Sequence, residues 1–199
     1  MDDAVTLPAI PAPLRWLNTP VDWRVDGPDA LTVTAGPRTD LFTDPGGPDR
    51  FANAPALLGD PSGDFTLSAR VTVSLAETYD AGVLLLHRDP DTWAKLCLEL
   101  SPQGRPTIVS VVTRGSSDDA NGIAVDTGDV WLRIARIGDA YAFHASTDGS
   151  FWQLVRYFTF GGAAQVGFLA QSPLGPGSTV WFTGIAYARR TLSDLRGGS

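Results

Sequence analysis

The chain has 199 residues, of which 43% are hydrophobic and 19% charged, with a formal charge of −7 and a pI near 4.6. That is the composition of a folded globular domain and excludes a disordered or fibrous chain. The acidic balance argues against nucleic acid and anionic membrane as partners, because both attract basic surfaces.

The charged residues are lopsided: 20 of the 22 acids are Asp, and Lys95 is the only lysine. Scarce Glu and Lys disfavour long surface helices, whereas abundant Asp, Gly and Pro suit tight turns between short strands. Met1-Asp2-Asp3-Ala4-Val5 lacks the basic and apolar regions of a secretory leader. No stretch reaches the roughly 18 apolar residues of a membrane helix. One cysteine, Cys97, excludes an internal disulfide and fits a reducing compartment. These features together predict a cytoplasmic protein.

Residues 1–13, ending in Leu7-Pro8-Ala9-Ile10-Pro11-Ala12-Pro13, read as an extended N-terminal arm. Residues 14–188 read as one domain, and residues 189–199 as a flexible polar tail. Within the domain, strands are expected at 31–35 and 65–74. The second alternates Phe65, Leu67, Ala69, Val71 and Val73 with polar residues, a period of two that gives one dry and one wet face. The unbroken apolar run 81–87 predicts a strand buried on both faces. Further strands are expected at 93–100, 107–114, 130–137, 140–146, 151–158, 164–171 and 179–187. Asp89-Pro90-Asp91, Pro102-Gln103-Gly104, Gly138-Asp139 and Asp148-Gly149 supply turns. About ten short strands without helices predict a two-sheet antiparallel sandwich or a barrel.

A series of short motifs, in this order, resembles a concanavalin A-like family often labelled "regulation of enolase protein" after a yeast member. They are Thr39-Asp40-Leu41-Phe42, Gly63-Asp64-Phe65-Thr66-Leu67, Tyr79-Asp80-Ala81-Gly82-Val83 and Trp93-Ala94-Lys95-Leu96-Cys97-Leu98-Glu99. Ser110-Val111-Val112-Thr113 with Ser117-Asp118, Trp131-Leu132-Arg133, Ser146-Thr147-Asp148-Gly149 with Trp152, and Val166-Gly167 with Ser172-Pro173 complete the series. The resemblance spans about Leu14 to Tyr187. It implies an all-β, concanavalin A-like antiparallel β-sandwich (jelly roll) of the lectin and glucanase type, and it implies no particular reaction. The chain differs from the family pattern at Leu41-Phe42, where an aromatic pair is expected. It differs again at Ala81 and Cys97, where Gln and Gly are usual.

The segment from Trp93 to Leu100 carries most of the chemistry. As a strand it places Ala94, Leu96, Leu98 and Leu100 on one face and Trp93, Lys95, Cys97 and Glu99 on the other. Lys95 and Glu99 lie about 13 Å apart along it, too far for a direct ion pair, so each needs another partner. The natural setting is the concave face of one sheet. Asp40, Tyr79, Asp80, Ser110 and Arg133 are candidates to complete a cleft there. Rings, carboxylates and Arg together make a surface suited to sugars, rings stacking on C–H faces and polar groups reading hydroxyls. The competing reading is a solvated strand face with structural aromatics.

Catalysis has weaker signals. A retaining glycosidase needs two carboxylates about 5–5.5 Å apart, and no acidic pair two residues apart accompanies Glu99. His87 and His144 form no zinc motif or nucleophile elbow and read as structural. Asp-rich loops at 44–49, 60–64, 116–122 and 126–129 offer oxygen ligands for a structural calcium, but they are equally ordinary turn chemistry. No metal site and no cofactor are therefore assigned. The expected role is a non-catalytic module binding a saccharide or other small molecule. The ligand set is Asp40, Tyr79, Asp80, Trp93, Lys95, Glu99, Ser110 and Arg133. The alternatives are an enzyme acting on a small metabolite or glycoside through Lys95, Glu99 and Asp80 as acid–base groups, and a regulatory protein-interaction module.

Overall fold

The computed structural model describes residues 4–159 and 161–199; the acidic Met1–Asp3 stretch lies outside them. Sixteen strands follow one another without a helix among the described residues. They are β1 (Arg15–Trp16), β2 (Asp22–Val25), β3 (Leu31–Ala35), β4 (Leu41–Thr43), β5 (Arg50–Ala52), β6 (Ala56–Gly59), β7 (Phe65–Val73) and β8 (Ala81–Asp89). β9 (Thr92–Leu100), β10 (Pro106–Arg114), β11 (Ser116–Ala124), β12 (Asp129–Ile137), β13 (Ala140–Ser146), β14 (Gln153–Thr159), β15 (Gln165–Gln171) and β16 (Ser178–Ala188) complete the set. The first sheet runs β1-β6-β15-β8-β9-β10-β11 and the second β14-β13-β12-β7-β16-β3-β2, all pairs antiparallel. The result is the all-β sandwich that the alternation predicts.

The core between the sheets is made of the inward residues of both. β7 contributes Phe65, Leu67, Ala69, Val71 and Val73, and β9 contributes Ala94, Leu96 and Leu98. β8 is buried on both faces, as its unbroken apolar run predicts. Leu84 and Leu86 enter the central core, while Ala81, Val83 and Leu85 enter a second apolar layer on the outer face of the first sheet. That layer is roofed by Leu41 and the partly buried Phe42 from a separate β4–β5 hairpin, and by Ala54 just after it. The roof is what turns an outer sheet face into a site.

Short or polar strands escape the period-two signal. β1, β2, β4, β5 and β6 have two to four residues each, too few to show alternation. The Asp-rich stretch expected as a loop at 116–122 is instead the edge strand β11, which pairs along β10 through its backbone. An edge strand with one face in water needs no apolar pattern.

Both terminal segments differ from expectation. Residues 4–13 are not an extended arm. Val5 pairs with Leu14, Leu7 closes a turn on Ile10, and Val5, Leu7 and Ile10 are buried in the core. Residues 189–199 pack on the outer face of the second sheet. There Leu192 is buried, Leu195 O lies 2.6 Å from His144 Nε2, and Gly198 O accepts from Arg133 Nη2 at 2.7 Å. Apolar side chains at Val5, Leu7, Ile10 and Leu192 gain more from burial than from water, and this fixes both segments.

Gly167 sits where β15 meets β6, and a Cβ there would lie 1.9 Å from Leu57 O. Gly167→Ala is expected to cost about 1–3 kcal/mol through forced backbone movement. For a chain of this size that is a Tm loss of roughly 2–12 °C by calorimetry. An unchanged Tm would mean that the two strands are not so closely apposed.

Candidate functional site

The outer face of the first sheet is organised by β9. Trp93, Lys95, Cys97 and Glu99 all project from it, away from the central core. Register across the sheet sets their neighbours. Lys95 lies opposite Leu85 on one side and Val111 on the other, and Val111 lies opposite Asp119. Glu99 lies opposite Ala81, which lies opposite Gln171. Directly paired residues share a face, so Lys95, Val111 and Asp119 form one row, and Glu99, Ala81 and Gln171 another.

These rows form the floor of a cleft of about 610 Å³. The β4–β5 hairpin supplies one wall with Phe42 and Phe51, and the loops carrying Tyr79 and Leu174 supply another. Lys95 is 2% exposed at the base. Its Nζ donates to Gln171 Oε1 at 3.0 Å, lies 3.7 Å from Asp40 Oδ1, and stands 5.6 Å from the centroid of the Trp93 ring. Gln171 Nε2 in turn donates to Tyr79 O at 3.3 Å. One chain of contacts therefore joins Asp40, Lys95, Gln171 and the Tyr79 backbone.

Two walls of the cleft hold backbone that side chains rarely adopt. Arg38 has φ of 60° and Tyr79 of 71°, the only non-glycine residues with positive φ among those described. Such conformations cost about 1 kcal/mol or more and persist only where the surroundings impose them. Asn53 imposes the first: its Nδ2 donates to Arg38 O at 2.9 Å and its Oδ1 accepts from Asp40 N at 2.9 Å. Asp80 imposes the second. Its Oδ2 accepts from Ala76 N and Glu77 N, and its Oδ1 accepts from Ser172 Oγ at 2.7 Å.

Of the sequence-derived candidates, Asp40, Tyr79, Lys95 and Glu99 line the cleft together. Trp93 lies beneath it, 1% exposed in the apolar layer, where it packs under Lys95. Three candidates fall elsewhere. Asp80 is fully buried, and its hydrogen bonds clip the Tyr79 turn, so it is a positioning residue outside the cleft. Ser110 pairs with the core residue Leu96 and so faces the other way, where it meets Arg156 of β14. Arg133 belongs to the second sheet, where its guanidinium lies 4.2 Å from the Trp152 ring centroid. Its motif lies far along the chain from β9, and only topology separates the two faces.

Asp119, Gln171, Arg38, Phe42 and Phe51 join the cleft without having been candidates. Gln171 ends a strand that period-two reading does recover, so its face was available as a signal. Asp119 was hidden because the Asp-rich stretch read as a loop.

Low in the cleft, burial pushes the Glu99 carboxyl up to about 8. Lys95 pulls it down, while Asp119 and Asp40 push it further up. No described residue donates a hydrogen bond to it. Asp119 is also raised, burial again being the largest cause. Burial therefore favours the protonated form of Glu99, which both donates and accepts, in a cleft shared with Lys95 and Asp40. Cys97 is fully buried and its thiol is pushed up by that burial, which removes it as a nucleophile. The register sets the Cα atoms of Glu99 and Asp119 roughly 16 Å apart, in different rows of the floor. No cluster of three or more His, Cys, Asp or Glu able to hold a metal ion occurs among the described residues.

An all-β sandwich with a roofed polar cleft on one outer face is a class of architecture shared by many binding and catalytic modules. This chain belongs to the family described as "Protein of unknown function (DUF1349)", whose model matches residues 16–190. It is 31% identical over 97 residues to "Regulation of enolase protein 1" of Saccharomyces cerevisiae, an alignment spanning 48% of each chain. The chain thus matches about half the length of that relative. A solved structure of a functionally unknown Saccharomyces cerevisiae protein superposes with a TM-score of 0.83 at 25% identity, over 90% of this chain and 97% of that one. The GH43 BlXynB protein of Bacillus licheniformis gives 0.72 at 15% identity, over 89% of this chain and 37% of that one. The carbohydrate-binding module CBM66 of Bacillus subtilis gives 0.53 at 13% identity, over 86% and 94%. At these identities the last two show the fold alone.

The raised Glu99 sets a pH dependence. Between about 4.5 and about 8 the folded chain keeps a proton that the unfolded chain releases, so this group's contribution to stability falls as pH rises. Asp26, Asp64, Asp89 and Asp148 are lowered and act with the opposite sign at more acid pH. Urea unfolding of wild type and Glu99→Gln on either side of that window isolates the effect. The variant is expected to gain stability relative to wild type toward the alkaline end. A constant difference between the two proteins would show that Glu99 keeps an ordinary carboxylate pKa.

Proposed function

We propose that the cleft binds a saccharide or similar polyhydroxylated small molecule and that the protein acts as a binding module without turnover. The observation that carries this reading is the placement of strain. The two left-handed non-glycine residues, Arg38 and Tyr79, both line this cleft, and Asn53 and Asp80 hold them there. Strained backbone held by dedicated hydrogen bonds marks a surface shaped for a ligand. The chemistry of the lining supports a hydroxylated one. Exposed rings of Phe51 and Tyr79 offer stacking faces, while Asp40, Glu99, Lys95 and Gln171 offer donors and acceptors at the base. The fold likeness to a carbohydrate-binding module is in keeping with this. The single buried thiol fits a cytoplasmic setting.

An enzyme using Lys95 and Glu99 remains the second reading, favoured by the raised Glu99. Calorimetric titration against neutral mono- and oligosaccharides, followed by chromatography of the incubated sugar, separates the two. Wild type is expected to bind and return the sugar unchanged. Tyr79→Gly relieves the left-handed strain, so its Tm should stay within a few degrees of wild type. Its affinity should fall by roughly tenfold or more through the lost ring. Sugar turnover would replace the binding reading with the catalytic one, and unaltered affinity in Tyr79→Gly would remove the cleft from consideration.

A further inference from the structure

The charges that face the cleft narrow the class of ligand. Five carboxyl side chains line it, from Asp40, Asp44, Asp49, Glu99 and Asp119, against two cations, Arg38 and Lys95. Lys95 is already engaged by Asp40 at 3.7 Å and by Gln171 at 3.0 Å. Arg38 is the one other cation among the lining residues, so even with the Glu99 carboxyl protonated the acids of the lining outnumber its cations. An anionic ligand entering here meets mostly like charge, while a cationic one meets the opposite.

The walls repeat the preference in a different chemistry. Phe51 is 45% exposed and Tyr79 39% exposed, with Phe42 paired to Phe51 across the hairpin. Ring faces beside carboxylates are the combination that recognises an ammonium, the rings through their quadrupole and the acids through charge-assisted hydrogen bonds. The floor also lacks something that a ligand amine would supply. The carboxyl of Glu99 sits low in the cleft, accepts no hydrogen bond from any described residue, and shares Lys95 with Asp40 and Asp119. Ala81 separates it from Gln171 in its row.

We infer that the ligand is an amine-bearing saccharide of the amino-sugar class, its ammonium directed to Glu99 and its ring lodged against Phe51 and Tyr79. This rests on the saccharide reading and makes it more specific. An ammonium placed beside Glu99 favours the ionised carboxylate, so binding releases the proton that the free protein holds there.

The test is isothermal titration of the full chain at about pH 6, where a sugar amine is fully charged. The probes are glucose, glucosamine, N-acetylglucosamine, glucuronate and, as a non-sugar amine, cyclohexylamine. Glucosamine is expected to bind at least tenfold more tightly than glucose or N-acetylglucosamine, with glucuronate weakest. Titration in two buffers of different ionisation heat should show proton release with glucosamine and none with glucose. In Glu99→Gln the ratio of glucosamine to glucose affinity should collapse toward one and the proton release should vanish. Equal affinity for glucose and glucosamine, or preference for glucuronate, overturns the inference and leaves the saccharide reading standing. Binding of cyclohexylamine with no sugar bound overturns the saccharide reading and keeps the ammonium site. No binding by any probe overturns both.

Discussion

A lysine buried against an apolar layer is the constraint around which the site is arranged. Lys95 projects among Leu85, Cys97 and Val111, and it is all but inaccessible to water. An ammonium in such surroundings is costly unless charge and hydrogen bonds are brought to it. They come from two distant parts of the chain: Asp40 on the segment leading into β4, and Gln171 at the end of β15. Satisfying Lys95 therefore brings the hairpin segment over the sheet, and Gln171 passes the constraint on to the Tyr79 backbone. A layer of leucines and valines alone would have no reason to keep this register.

The same residue type does different work on either side of that lysine. Asp40 lies 16% exposed beside the ammonium, where its carboxylate is both a counter-charge and a surface toward the cleft. Asp80 is buried away from solvent, and both of its oxygens are filled by the Ala76 and Glu77 amides and the Ser172 hydroxyl. One shapes the electrostatics of the cleft and the other holds its wall in place. Asp148 repeats the second role at a distant turn, where it accepts from Ser150 N and Phe151 N as its Asp-Gly sequence predicts. Identity as an aspartate says little; the donors that surround it decide.

Family membership and fold likeness define the frame but not the chemistry. Sandwiches of this kind carry many unrelated functions, so the functional argument has to come from the cleft itself. Here the argument is local: strained Arg38 and Tyr79, a raised Glu99, and rings left open to solvent at Phe51 and Tyr79. These are departures from what a well-packed surface needs for stability alone. Local departures of this kind gathered at one place are what a functional site is expected to show.

Alternation along single strands determined much of this protein from its sequence. The two-residue period of β7, the unbroken apolar run of β8, and the split of β9 into Ala94, Leu96, Leu98 and Trp93, Lys95, Cys97, Glu99 all follow from side chains pointing to opposite faces of a strand. Sandwich architecture and the sharing of a face by Lys95 and Glu99 were legible for that reason. Which other residues meet them was decided by tertiary structure. Ser110 and Arg133 carry suitable chemistry, yet strand register turns one inward and sheet topology places the other on the opposite layer. Asp119 and Phe51 reach the cleft because an edge strand and a short hairpin close over it, and neither leaves a periodic trace in the sequence. Local periodicity fixes which way a side chain points; only the packing of segments far apart in the chain fixes what it faces.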